Sequence, residues 1–149
     1  MLKLHVLASG SKGNAAIVEN AATGAGVLID CGICKRDFLE RCDEAGFDPT
    51  RLEAVFITHE HGDHTKGLGV ALRGLAKLGC APMVYVNRAC VDNSSTLQKI
   101  ADDFETATLG AALTLSQDEN ANECRNGAST CDERVVCAAG LRVLPFATS

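Results

Sequence analysis

The chain has 149 residues, enough for one domain with a sizeable hydrophobic core. A hydrophobic content of 46% and a charged content of 22% are typical of globular proteins and exclude a largely disordered chain. The net charge of −5 does not indicate a general nucleic-acid-binding surface, although bound metal ions would make a site locally positive. Since the sequence has no bilayer-length apolar run and no recognisable signal peptide, we expect a cytoplasmic protein without membrane contact.

Three short strand-like segments, separated by glycine-containing turns, open the chain. They are "LKLHVLAS", "AAIVEN" and "GVLID". The continuous apolar run of the third segment predicts a strand that is buried on both faces. "KRDFLERCDEAGF" then changes to helical spacing, and Gly46 is the expected end of this helix.

The rest of the chain alternates between predicted strands and helices. "EAVFI" and "PMVYV" are predicted strands, and "LGVALRGLAKLG" is a helix whose buried face comprises Leu68, Ala71, Leu72, Leu75 and Leu78. Asn93 or Ser94 is expected to cap a further helix. Residues 105–140 are predicted to form loops and short hairpins, and "LRVLPFATS" one more strand. The sequence therefore predicts a mixed α/β layered fold, with one domain over residues 1–149.

A dense cluster of metal-binding side chains follows the "EAVFI" strand, within "ITHEHGDHTKG". Three histidines and an aspartate fall within six positions: His59, His61, Asp63 and His64. Imidazole and carboxylate are the usual ligands of zinc and also suit manganese and iron. In an extended segment, His59 and His61 lie on one side, and Gly62 allows the chain to turn before Asp63. The alternative is a polar loop with solvated histidines, which such clustering disfavours.

Together with "LASGSKGNA" and "VLIDCG", in this order and spacing, the His-x-His-x-Asp-His loop resembles the metallo-β-lactamase superfamily. It is most similar to the YycJ-like (WalJ-like) members, bacterial metal-dependent hydrolases described as phosphodiesterases or DNA exonucleases. The resemblance implies an αβ/βα sandwich of four layers with two divalent metal ions at one edge, zinc being favoured. It also implies that a hydroxide bridging the two ions attacks phosphorus, with a nucleic acid or other phosphodiester as substrate.

The resemblance also implies a role for individual residues of the loop. His59 and His61 would bind the first ion, and Asp63 and His64 the second. Asp63 would in addition be catalytic by orienting the nucleophile. Asp30, at the end of the "VLID" strand, would orient the ligand loop through hydrogen bonds; the alternative is a simple turn-forming role.

The "SGSKGN" segment would lie at the rim of the active site. Ser9, Ser11 and Asn14 are its candidate rim residues, although ordinary turn chemistry explains them equally well.

In the superfamily, further metal ligands follow a stretch similar to the terminal "LRVLPFATS". We therefore expect this chain to be the N-terminal half of the domain, with four of roughly seven ligands. Such a chain would bind metal weakly, lack hydrolytic activity, and expose apolar faces that cause self-association or domain swapping.

Several rival functions share these sequence features. Cys31-x-x-Cys34 lies between a strand and a helix, as a thioredoxin-like redox motif would, but this leaves the histidine cluster unexplained. Within the superfamily, the same loop also serves thioester hydrolysis of the glyoxalase II type, RNA processing of the ribonuclease Z type, and lactam hydrolysis. A remnant that binds a partner or metal without catalysis is a further alternative. Substrate choice depends on the rim and not on the loop.

Overall fold

A computed structural model describes residues 1–109 and 136–143. The strands in these residues are β1 (Leu2–Ala8), β2 (Ala15–Asn20), β3 (Gly26–Ile29), β4 (Leu52–Phe56), β5 (Met83–Asn87), β6 (Thr106–Leu109), β7 (Val136–Ala138) and β8 (Leu141–Val143). The helices are α1 (Lys35–Ala45), α2 (Gly62–Thr65), α3 (Leu68–Lys77), α4 (Arg88–Asp92) and α5 (Ser95–Asp103), with a 3₁₀ turn at Pro49–Arg51.

Strands β1 to β6 form one sheet in which the spatial order equals the chain order. The first two pairings are antiparallel, as expected for a meander, whereas β3–β4, β4–β5 and β5–β6 are parallel. Parallel neighbours need a crossover, and here each crossover contains one or two helices. The carboxyl ends of β3, β4 and β5 therefore lie at the same edge of the sheet.

The helices cover one face of this sheet. Phe38 of α1, Leu72 of α3 and Ile100 of α5 belong to the same buried cluster as Ile17 and Val55 of the strands. The expected helix ends are confirmed: Gly46 ends α1 in the left-handed conformation at φ 69°, and the Ser94 side chain accepts a hydrogen bond from Leu97 N at the start of α5.

The β7–β8 hairpin packs on the opposite face of the sheet. Val136 and Ala138 join a second apolar cluster with Val27, Ala54 and Phe56. Asn20 Nδ2 donates to the carbonyl of Ala139, and the Ala139 N–H donates to the Glu53 carboxylate, so the hairpin is tied to both β2 and β4. The chain thus has apolar layers on both sides of its sheet, which confirms the predicted α/β class.

Some local predictions were wrong. Leu78 is 56% exposed, because α3 ends at Lys77 and Leu78 no longer follows the helical face. Short helices at Gly62–Thr65 and Arg88–Asp92 and strand β6 were not expected from the sequence pattern. The rest of the segment expected to be loops and hairpins, 110–135, and the end of the last predicted strand, 144–149, lie outside the described residues.

Nowhere in the described ranges is a helix both long and apolar enough to cross a lipid bilayer.

Candidate metal centre

The candidate ligands lie where β3 and β4 end side by side. Asp30 immediately follows β3, and its backbone N–H donates to the carbonyl of Phe56, 2.9 Å away, which extends the parallel pairing by one step. Thr58 and the histidine loop follow β4. In open α/β sheets, ligands bind outside the carboxyl ends of the strands, and this loop occupies such a position.

Asp30 forms the buried base of the site. Its side chain accepts hydrogen bonds from Thr58 N at 2.8 Å, Thr58 Oγ1 at 2.7 Å and His64 Nδ1 at 2.7 Å. The residue is only 4% exposed and has a φ of 58°, a left-handed conformation that aspartate tolerates better than most residues. A single carboxylate therefore ties the end of β3 to both ends of the histidine loop.

The same contacts decide which nitrogen of each imidazole carries a hydrogen. A carboxylate only accepts, so His64 Nδ1 donates to Asp30, and in the neutral imidazole Nε2 then keeps its lone pair. The one hydroxyl hydrogen of Thr58 points to Asp30, so His59 Nδ1, 2.8 Å from Thr58 Oγ1, must donate to that oxygen. His59 Nε2 is thereby also left with a lone pair, the form in which histidine binds metal.

The predicted ligands converge at this edge. The ring centroids of His59 and His61 are 4.6 Å apart, and those of His59 and His64 are 4.0 Å apart. Among the described residues, the ligand atoms that lie within 4.8 Å of one another belong to Asp30, His59 and His64. This group contains Asp30, which was expected to orient the loop, and does not include His61 or Asp63. Asp63 Oδ2 is 3.6 Å from His64 Nε2. Imidazole nitrogens and carboxylate oxygens gathered in this way have the donor chemistry that a divalent metal ion needs.

Backbone contacts hold the loop against the segment that follows β3. Cys31 N donates to His64 O at 2.8 Å, and Gly67 N donates to Cys31 O at 3.0 Å. A Cβ on Gly32 would lie 1.7 Å from Asp63 O, and one on Gly67 would lie 1.6 Å from Ile33 O. Both positions require glycine because backbone passes directly over backbone. Glycines flanking both motifs were the sequence signal that could have indicated this close approach.

Of the three candidate rim residues, Asn14 reaches the site. Its Nδ2 lies 3.2 Å from Asp63 Oδ2 and 3.3 Å from His64 Nε2, and its backbone N–H donates to Asp63 O at 2.7 Å. Ser9 and Ser11 line a neighbouring cleft.

The fourth histidine of the chain and the glutamate within the loop make contacts outside the candidate site. His5, on β1, is paired with Glu19 at 2.6 Å. Glu60 lies between two ligands but bonds to Cys90; its own backbone N–H, and next the Cys90 thiol, lower the pKa of this carboxyl.

The Cys31-x-x-Cys34 pair does not have the properties of a redox pair. Cys31 is buried, and burial raises the pKa of its thiol to about 12. Cys34 is exposed and caps α1, with its sulfur accepting from Asp37 N at 3.5 Å. A redox motif needs a thiol of lowered pKa, so the arrangement of Cys31 argues against this alternative. Of the described cysteines, Cys34 and Cys137 are exposed, whereas Cys31, Cys42 and Cys80 are buried.

Comparison with known proteins agrees with these observations. The sequence profile of the family described as "Anti-Pycsar protein Apyc1" matches residues 8–115. The exodeoxyribonuclease WalJ of Streptococcus pneumoniae is 38% identical over 101 residues, covering 66% of this chain and 35% of that protein. The anti-Pycsar protein Apyc1 of Saccharibacillus brassicae is 33% identical over 110 residues, covering 64% of this chain and 43% of that protein.

A crystal structure shows the same fold. The metallo-β-lactamase fold protein YhfI from Bacillus subtilis superposes with a TM-score of 0.52 at 20% identity, covering 74% of this chain and 46% of that one. The chain spans between about a third and a half of the length of these relatives.

The mixed sheet with helices on one face, and the histidine loop at the carboxyl edge of its parallel strands, define a metallo-β-lactamase-fold protein. The chain belongs to the anti-Pycsar protein Apyc1 family. The resemblance to the WalJ and YycJ proteins inferred from the sequence is thereby confirmed.

Thiol labelling tests the assignment of the cysteines. Because the pKa of Cys31 is about 12, roughly one thiol in ten thousand is ionised at pH 8. We expect iodoacetamide to modify Cys34 in the native protein and to leave Cys31 unmodified, as measured by peptide mass spectrometry. Labelling in denaturant, where both should react, is the control. Equal native reactivity, or a Cys31–Cys34 disulfide under mild oxidation, would contradict the assignment.

Proposed function

We propose that the protein forms part of a metal-dependent phosphodiesterase that acts on nucleic acid as an exonuclease. The observation that carries this proposal is the arrangement at the ends of β3 and β4: two histidines with their Nε2 atoms left free by Asp30 and Thr58, beside Asp63 and His61. The name of the WalJ relative, an exodeoxyribonuclease, supports nucleic acid over a thioester or lactam substrate.

In this proposal each residue of the loop has a defined task. His59 and His61 hold one divalent ion, and Asp63 and His64 hold a second. When bound, the ions would lower the pKa of a water and stabilise negative charge on the phosphoryl oxygens. Asp63, a third exposed and held by Asn14, is placed to accept a hydrogen bond from the attacking water and so orient it. Asp30 and Thr58 fix the ligand tautomers and do not contact substrate.

We favour zinc for both positions, because imidazole and carboxylate form its usual ligand set, while manganese and iron remain compatible. Cys31, Cys34, Cys42, Cys80 and Cys90 are free thiols, which suits a reducing compartment such as the cytoplasm.

Exchange of the Asp30 carboxylate for its amide tests the hydrogen-bond relay. In Asp30→Asn, the NH₂ group would replace either Oδ1, which accepts from Thr58 N, or Oδ2, which accepts from both Thr58 Oγ1 and His64 Nδ1. Either replacement sets donor against donor, and the second favours the wrong tautomer of His64. We expect zinc affinity, measured by calorimetric titration, to fall about 10- to 100-fold. Histidine ¹⁵N chemical shifts should report the tautomer change in His64.

Asp43→Asn, which removes an exposed carboxylate of α1, is the matched control and should bind zinc as the parent does. If Asp30→Asn keeps both the parent affinity and the parent tautomers, Asp30 has no orienting role.

The number of ligands limits the activity of this chain by itself. The sequence has four histidines, and His5 is occupied by Glu19, so the loop supplies four of the roughly seven ligands of a two-metal site. We expect the purified 149-residue chain to show no phosphodiesterase activity on bis(p-nitrophenyl) phosphate or single-stranded DNA with added zinc or manganese.

A version extended beyond Ser149 should hydrolyse DNA, and His61→Ala should abolish that activity. A robust rate from the 149-residue chain that His61→Ala abolishes would contradict the ligand count.

We also propose that the chain self-associates through β1. Leu2, Leu4 and Val6 are 59%, 67% and 61% exposed and alternate along this strand, so they form an apolar stripe on one face. Among the described strands, β1 pairs only with β2, which leaves an open edge beside the stripe.

We expect light scattering to detect dimers or larger species, and Leu4→Lys to shift them towards monomer. Val70→Lys, at an exposed apolar residue of α3, is the control. A monomer that persists at high concentration would exclude self-association.

A further inference from the structure

A second cavity lies beside the metal centre and takes no part in the ligand set. It is an open cleft of about 660 Å³, lined by the turn between β1 and β2, the segment that precedes α1, the first turns of α1, and Lys66. Gly32 is shared by both places: it lines the cleft and passes directly over Asp63 O of the metal loop. The cleft is therefore separated from the candidate ligands by one layer of backbone.

The cleft is cationic although the chain is acidic overall. Lys12, Arg41 and Lys66 line it, with Asp37 as the one lining carboxylate, whereas the whole chain has a net charge of −5. Within the described residues, neither Lys12 nor Lys66 has an ion-pair partner. Arg41 contacts Glu44 at 3.1 Å on the exposed surface of α1. A local positive field of this kind concentrates anions at the opening of the cleft.

The placement of these charges fits an extended polyanion better than a single small anion. The three cations come from three different segments and are all exposed, so they do not converge on one buried point. Ser9 and Ser11 add hydroxyl donors along the same wall. Cationic and hydroxyl side chains spaced along an open groove are the usual contacts to successive phosphates of a nucleic-acid backbone.

We propose that this cleft binds the phosphodiester backbone of a nucleic-acid strand, next to the phosphate presented to the metal centre. This inference rests on the proposed function in one respect: it takes the phosphate at the metal centre to be the one that is cleaved. Ser9 and Ser11 then serve as backbone-binding residues of the substrate strand, and Lys12, Arg41 and Lys66 supply its electrostatic attraction. Asn14 lies between the cleft and Asp63, at the boundary between the cleft and the candidate metal centre.

Binding of a labelled oligonucleotide tests the proposal without catalysis. The 149-residue chain is titrated into fluorescein-labelled dT12 in EDTA, and fluorescence anisotropy is recorded from 50 to 200 mM NaCl. We expect the triple variant K12Q/R41Q/K66Q to bind at least about 10-fold more weakly at 50 mM salt. The slope of log K against log salt should fall by about 2, since each contact to a single-stranded phosphate contributes roughly 0.7.

The matched control removes the same charge elsewhere. R73Q/K77Q/K99Q changes three exposed cations of α3 and α5 and should keep the affinity within about 2-fold of the parent. Equal losses in both triple variants, or no detectable binding by the parent chain, would overturn the proposal. Displacement of dT12 by micromolar inorganic phosphate would also overturn it, because the cleft would then be a site for a free anion.

The two proposals can fail separately. If the cleft variant loses oligonucleotide affinity while no extended version of the chain hydrolyses DNA, the cleft stands and the exonuclease function fails. If an extended version hydrolyses DNA and the cleft variant binds dT12 like the parent, the exonuclease function stands and the cleft proposal fails.

Discussion

The carboxylate of Asp30 is the group on which the arrangement of the candidate site depends. It is buried, and it accepts hydrogen bonds from the start of the histidine loop at Thr58 and from its far end at His64. A buried carboxylate is stable only when its acceptor positions are satisfied, so the loop must close over it. The closure in turn sets the tautomer in which the neutral rings of His59 and His64 present Nε2 to a metal ion. The fold of the loop and its chemistry therefore have the same cause.

Most strands and helices could be predicted from the sequence, because each has its own local pattern of apolar residues and each strand pairs with the next one along the chain. Alternating and continuous apolar runs identified the first five strands. Gly46 ends α1 because a residue without a Cβ adopts the left-handed conformation freely, and the Ser94 hydroxyl caps the start of α5. Strand β6 was not predicted, because "TATL" is too short and too weakly apolar to show a period of two. Its parallel pairing with β5 makes it a strand. Tertiary pairing of this kind cannot be inferred from local sequence.

The candidate site was only partly evident from the sequence. Clustering of metal-binding residue types indicated the four loop ligands, and Asp30 was singled out through the family resemblance. Thr58 was not, because its task depends on the direction of one hydroxyl hydrogen between a carboxylate and an imidazole. Gly32 and Gly67 flank the two motifs, but a glycine in the sequence does not by itself distinguish a turn from a close passage of two backbones.

The sequential order of the sheet has a consequence for how the protein is made. Each strand from β1 to β6 is added at the edge of the one before it, so every pairing can form as soon as the next strand leaves the ribosome. The hydrogen bonds that join Asn14, Asp30, Thr58 and the loop lie entirely within the first 67 residues. The hydrogen bonds that position the candidate ligands can therefore form during synthesis, before β5 and β6 have been translated.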